Sequence, residues 1–367
     1  MKFRFYPKES KLYDFLQFPR LLYYREGFDK SKEDTNYQEI LIEDYLSFVS
    51  KVEERLKPFA EEIEKFYMKE YLSDYDFIDL ISKVTGIFGF KDEKDYLNML
   101  LSLDEYEVKR GIIYSIMLIN DGYPDDLDEA MKKADEISLD YNDMIEFIKE
   151  LPIEAGSKWN FFLIVEEPLK YIEMYVKLME KLLPIFDEIY NSFEDEVKDY
   201  GEYLVNFLNE KGAEGLEEIT YSIVNIKLLD DEYMNILISL IYPYALSIVT
   251  TSKVNYTAWG LRMEEAFKRM KEINENKTLE RVQIFKNLGD KTRYEVLKLI
   301  AAGETSTKVI AKTLGVSSAT ISYHINNFLT SKVIKMDKNN DKFGYVVDYE
   351  LLEDTIEEFK KDLSFPK

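Results

Sequence analysis

The chain has 367 residues, 46% of them apolar, and a formal net charge of −23. That length allows two or three domains with a sizeable core. The lack of cysteine excludes disulfides, thiolate metal sites and thiol nucleophiles, and the single histidine excludes His-rich metal sites and most His-based triads.

The opening MKFRFYPKES has no apolar signal core, so a cytoplasmic protein is expected. Alternating charge and aromatic residues predict a strand over 2–6, and residues 10–37 read as irregular. Leu41, Tyr45, Phe48, Val52 and Leu56 share one helical face, and Pro58 ends or kinks that helix. Further helices are expected over 74–85, 92–102, 104–119, 125–136 and 138–150. Residues 157–209 read as two long helices broken near Pro184, with a stripe of Leu169, Ile172, Val176, Met179 and Leu183. The stretch 233–252 carries no charge over 20 positions, the length of a membrane span. Pro243 and the β-branched residues favour buried strands instead, so no membrane is expected. Residues 219–250 then form a three-stranded meander with turns at Asp230–Asp231 and Pro243. A helix over 258–275 leads to a boundary in the polar NENKT at 274–278.

The fold class expected is mainly α with small β elements. Residues 1–275 form an acidic, aromatic-rich, mainly helical domain that binds an effector or partner, and 276–367 form a second domain. The 28 tyrosines and 23 phenylalanines are read mainly as core, with an aromatic-lined pocket as the alternative. Glu166–Glu167 and Asp74 with Asp76 are read as solvated carboxylates. No Gly-rich phosphate loop, Gly-x-Ser-x-Gly elbow or His-Glu-x-x-His occurs, so neither an enzyme nor a cofactor is expected.

Residues 281–347 hold eleven Lys/Arg and five Asp/Glu, a net of +6, which leaves −29 on the remaining 300 residues. This basic segment begins with an amphipathic helix, TLERVQIFKNLG. Asp290 caps a second helix with Val296, Leu297 and Ile300 inward. STKVIAKTL forms a third, with small Ala311 at a close crossing and Gly315 supplying the turn. Ser317 caps a fourth helix over 318–330, pinned by Ile321, Ile325, Phe328 and Leu329. Its other side carries Ser318, Ala319, Thr320, Ser322, Tyr323, Asn326 and Asn327, with no acidic residue from 317 to 330. A helix that reads base edges in a major groove needs short donors and acceptors and no carboxylate facing phosphates. KVIKMDKNNDKFGYVVDY then forms a two-stranded wing, with Lys335, Lys338, Asn340 and Lys342 placed to meet the backbone of double-stranded DNA. The last helix has Leu352, Ile356, Phe359 and Leu363 on one stripe, suited to packing against a second copy.

The C-terminal stretch of about 85 residues that includes Ile284 to Ile334, with its F-K-x-L-x-D-x-T-R leader, I-A-x-x-L-G-V-S turn and T-I-S-x-H-I helix, resembles the ArsR-type (arsenic-repressor-like) winged-helix family. The resemblance implies a homodimeric repressor that binds an inverted repeat and dimerises through the first and last helices of this domain. Leu279, Val282, Phe285, Leu352, Ile356 and Phe359 would then lie at the dimer interface. It also places His324 at or near the DNA. The family's metal sensors carry Cys-x-Cys where this chain reads ETSTK, and the last helix has no histidine, so metal sensing does not carry over. The function expected is a sequence-specific transcriptional regulator. The alternatives are a winged helix that binds protein, or an enzyme with its activity in residues 1–275. The effector expected from the acidic charge is neutral or cationic.

Overall fold

The computed structural model describes residues 2–23, 43–68, 71, 75–120, 127–221, 233–249, 251–275, 277–304, 306–316, 318–339 and 342–365. It is mainly helical with two small sheets. In chain order come β1 (Lys2–Phe5), α1 (Pro7–Gln17), α2 (Glu43–Leu56), α3 (Ala60–Tyr67), α4 (Phe77–Thr85), α5 (Glu93–Ser102) and α6 (Glu105–Asn120). These are followed by α7 (Leu127–Ser138), α8 (Tyr141–Glu150), α9 (Ala155–Glu166), α10 (Pro168–Tyr190), α11 (Glu194–Lys211) and α12 (Ala213–Thr220). The strands β2 (Tyr233–Ser239), β3 (Leu246–Val249) and β4 (Tyr256–Gly260) lead into α13 (Met263–Glu275). Contacts divide the chain into one unit of Arg4–Val205 with Met234–Leu261, and another of Met1–Phe3, Asn206–Tyr233 and Arg262–Lys367. α13 thus groups by its contacts with the C-terminal segment.

The first unit is built on interlocked aromatics. Phe66, Phe77 and Tyr175 are buried with ring centroids 5.4–5.5 Å apart. Tyr67 Oη donates to Leu16 O at 2.9 Å and lies 3.0 Å from Tyr175 Oη, so these polar tips are satisfied inside the core. The carboxylates here are structural. Asp76 caps α4 in a reciprocal capping box with Asp79, and the Arg20 guanidinium is bound to both. Asp14 accepts from Ser239 Oγ at 2.6 Å and Leu240 N at 2.7 Å, which ties α1 to the end of β2. Glu167 is paired with Lys170 at the surface. Asp74 lies outside the described residues.

Several sequence expectations are corrected. Residues 7–17 are helical and Phe18–Tyr23 form a 3-10 turn, where an irregular segment was expected. Pro184 does not break a helix: α10 runs through it, and the breaks fall at 167 and 191–193. Its outward position and the burial of Met179, Leu182, Leu183 and Phe186 around it hold the helix together. Leu169, expected on the inner stripe, is exposed, while Ile172, Val176, Met179 and Leu183 are buried.

The meander is also replaced. Residues 213–220 are helix, 222–232 lie outside the described residues, and the sheet order is β1-β2-β4-β3. β4, expected to be helical, separates the two strands that Pro243 was expected to join as neighbours. It pairs in parallel with β2, Ile236 opposite Thr257, and antiparallel with β3, Leu246 opposite Trp259. Gly260 makes this crossing possible: a Cβ there would lie 2.2 Å from Pro243 O, so only glycine lets the 240–245 loop pass. Among the described residues no helix is long and apolar enough to cross a membrane.

Candidate nucleic-acid interface

The basic segment folds as α14 (Lys277–Leu288), α15 (Lys291–Ala301), α16 (Thr307–Leu314), α17 (Ser318–Thr330), β5 (Ile334–Asn339), β6 (Lys342–Val347) and α18 (Tyr349–Asp362). Local chemistry sets each boundary. Asp290 accepts from Arg293 N at 2.8 Å and starts α15. Gly303, at φ 92°, ends it. Ser306 caps α16, and Gly315 turns left-handed at φ 69°, which aims α17 away from α16. β5 and β6 pair antiparallel from Ile334–Val347 out to Asn339–Lys342, the geometry of a wing.

One core holds these elements together. Ile284, Val296, Ile300, Ile310, Ile321 and Phe328 are buried within it. Ala311, also buried, lets α16 and α17 approach closely. A second, polar fastening runs beside it. Asn287 is fully buried; its Nδ2 donates to Asn327 O at 3.2 Å and Ser331 Oγ at 2.9 Å. Its Oδ1 accepts from Arg293 Nη1 at 3.2 Å. This network joins α14, α15 and the end of α17, and in a dry interior such bonds are costly to break. Sequence reading missed Asn287 and Ser331; the signal available was the Asp-x-x-Arg pair, whose arginine needs an acceptor.

Burial corrects two residues assigned to the DNA face. Asn327 is 1% exposed and His324 8%, so α17 buries a wider face than its aliphatic residues alone suggest. Asn327 turns inward because α14 packs along that side. His324 lies with its ring centroid 5.6 Å from that of Tyr323, within the body of the domain. Thr320, Ser322 and Tyr323 are half-buried and Asn326 is exposed, so Ser322, Tyr323 and Asn326 form one outward strip at helical spacing. Ser317 lies outside the described residues. The side chains of Ser318, Ala319, Lys338, Asn340 and Lys342 fall outside the described side chains.

Lys335 Nζ sits 2.5 Å from Asp348 Oδ2 at the start of α18, an ion pair that links the wing to the last helix. Lys312, exposed on α16, and Lys291, exposed at the start of α15, carry no ion pair among the described residues and were not singled out from sequence. The first helix of a helix-turn-helix pair crosses the phosphate backbone in such complexes, and α16 is the first helix of the pair here.

The terminal helices pack together. Phe285 and Phe359 pack with tilted rings, their centroids 4.8 Å apart, and Arg281 pairs with Asp362 at 2.9 Å. Around them Leu279 (48%), Val282 (55%) and Ile356 (48%) are left exposed, while Leu352 is half-buried against the core.

No curated protein and no solved structure matches this chain. A helix-turn-helix domain family matches residues 288–336, the span from the end of α14 to the start of the wing. This segment is a helix-turn-helix DNA-binding region.

Proposed function

We propose that the protein is a cytoplasmic, sequence-specific transcriptional regulator of the ArsR type. It acts as a homodimeric repressor on an inverted repeat, without metal sensing and without catalytic activity. One observation carries the reading: the outward strip of α17 offers Ser322, Tyr323 and Asn326, and no carboxylate occurs from 317 to 330 in a chain of net charge −23. An uncharged strip of short donors and acceptors adds little to stability, but it is what a base edge requires. The exposed Leu279, Val282 and Ile356 beside the Phe285–Phe359 contact support dimerisation through α14 and α18. Residues 4–205 and 234–261 supply the input, since the winged helix has no cysteine and a single, buried histidine.

Selection of bound duplexes from a random pool by the full-length protein tests this. The expected result is an imperfect inverted repeat with half-sites about one helical turn apart. Enrichment of no sequence at low salt, where phosphate contacts are strongest, overturns it.

A further inference from the structure

The aromatic unit contains a cavity of about 330 Å³ between α4, α5, α6 and the turn that joins β3 to β4. Ile81, Val84, Phe90, Met99, Leu103 and Val108 form its apolar wall. At about 30 Å³ per water-sized group it holds roughly ten non-hydrogen atoms, the size of an eight-carbon carboxylate, and it lies at the small end of ligand sites.

The charged lining runs against the composition of the chain. Arg110 and Lys253 both line the cavity, against the single carboxylate of Glu107. Glu107 is engaged, because its Oε2 accepts from Asp104 N at 2.9 Å at the start of α6. Arg110 is only partly matched by the protein: Nη1 reaches Asp135 Oδ1 at 3.5 Å and the guanidinium lies 5.8 Å from the Tyr106 ring centroid, but Nε is buried with no acceptor among the described residues. A buried donor without an acceptor is costly, which favours an anion at this guanidinium. Lys253 carries no ion pair among the described residues, and its stem lies against Gly86. The turn that presents it is fastened in advance. Ser252 N donates to Lys83 O at 2.9 Å, and Thr251 Oγ1 accepts from both Lys253 N and Val254 N. A site whose polar groups are held before binding loses less entropy on binding.

Gly111 gives independent support. It sits inside α6 and lines the cavity, yet a Cβ there would meet nothing nearer than Val84 at 3.9 Å, an ordinary contact. Glycine weakens a helix interior relative to alanine, and neither turn geometry nor packing calls for it here. What the missing side chain provides is room in the cavity.

We infer that this cavity binds a small organic monoanion with an apolar body, its carboxylate held by Arg110 and Lys253. Its role as the effector site rests on the proposed regulatory function. The local lining thus reverses the neutral or cationic ligand that net charge alone suggests.

Calorimetry on the full-length protein with octanoate, hexanoate, phenylacetate and the neutral octanamide tests the site. Saturable binding of octanoate or phenylacetate is expected below about 10 mM, with octanamide at least tenfold weaker than octanoate. Arg110→Gln and Lys253→Gln should each weaken it at least tenfold. Gly111→Leu, which fills the space, should abolish it while thermal melting still reports a folded protein. Octanamide binding equal to octanoate, no saturation by any of the three anions, or unchanged binding by a folded Gly111→Leu variant overturns the site. Gel shifts on the selected operator separate the two readings. Specific DNA binding that weakens or tightens with the bound anion supports the effector role. Anion binding with operator affinity unchanged leaves the site standing and overturns that role. Absence of specific DNA binding without any ligand overturns the regulatory reading alone.

Discussion

The winged-helix segment and the aromatic unit place their polar side chains oppositely. On α17 the polar side chains of Ser322, Tyr323 and Asn326 lie away from an aliphatic core, the first two half-buried and the third exposed. In the aromatic unit Tyr67, Tyr175, Asp14 and Arg20 point inward and are matched by partners there. The contrast separates two uses of the same chemistry. A polar group that the fold does not need marks a recognition surface, whereas a polar group that the fold satisfies marks architecture. The Arg110 side chain, half-buried with its Nε unmatched among the described residues, belongs to neither class, which is why the cavity beside it reads as a binding site.

The largest effect expected on this contrast concerns assembly. Val282 and Ile356 are exposed within one chain, so Val282→Glu with Ile356→Glu should leave the fold within about 0.5 kcal/mol yet remove the dimer, because charge is buried poorly in an apolar interface. Light scattering that still reports a dimer would move the interface off α14 and α18. Next comes Arg20→Met in the aromatic unit. It strands Asp76 and Asp79 without their cation, and urea unfolding should show a loss of roughly 3 kcal/mol. A loss below about 0.5 kcal/mol would mean that this inward charge is not architectural. Smaller in energy is Tyr323→Glu. It should leave unfolding unchanged and weaken operator binding at least tenfold, about 1.4 kcal/mol, in gel shifts; unchanged affinity would remove the outward strip from the DNA.

Asp14 predicts a gradual effect of pH. Burial pushes its carboxyl up to about 7 from 3.8, despite the donors that face it. Between those values the folded state holds a proton that the unfolded state has released, so stability should fall as pH rises from about 4 to about 7. Asp14→Asn should flatten that slope in urea melts across this range; an unaltered slope assigns it to other groups. The smallest expected effect is none. Stoichiometric zinc, cadmium, arsenite or copper should not shift operator affinity, since the chain has no thiolate and one imidazole. Release of DNA by one equivalent of any of them would overturn the metal-independent reading.

Much of the winged helix was legible in the sequence because its determinants are local. The caps at Asp290 and Ser306, the left-handed Gly315 and the spacing of Ile321, Ile325 and Phe328 each act within a few residues along the chain. The same holds for the helices from α4 to α8, whose periodicity is set within each helix. What depends on distant partners was not legible. The burial of Asn327 depends on α14, whose Asn287, 40 residues away, bonds the Asn327 backbone carbonyl, and the ion pair of Lys335 requires Asp348 beyond the wing. Pro184 is tolerated because packing around α10 outweighs one lost backbone bond. The β2–β4 pairing needs a crossover that only the close approach at Gly260 permits. The sequence by itself determined the helical class and the acid-free helix over 318–330, because periodicity and charge are carried by neighbouring residues. The tertiary structure alone decided which strands pair, which polar side chains turn inward and where the Arg110 cavity opens, because each depends on groups that only folding brings together.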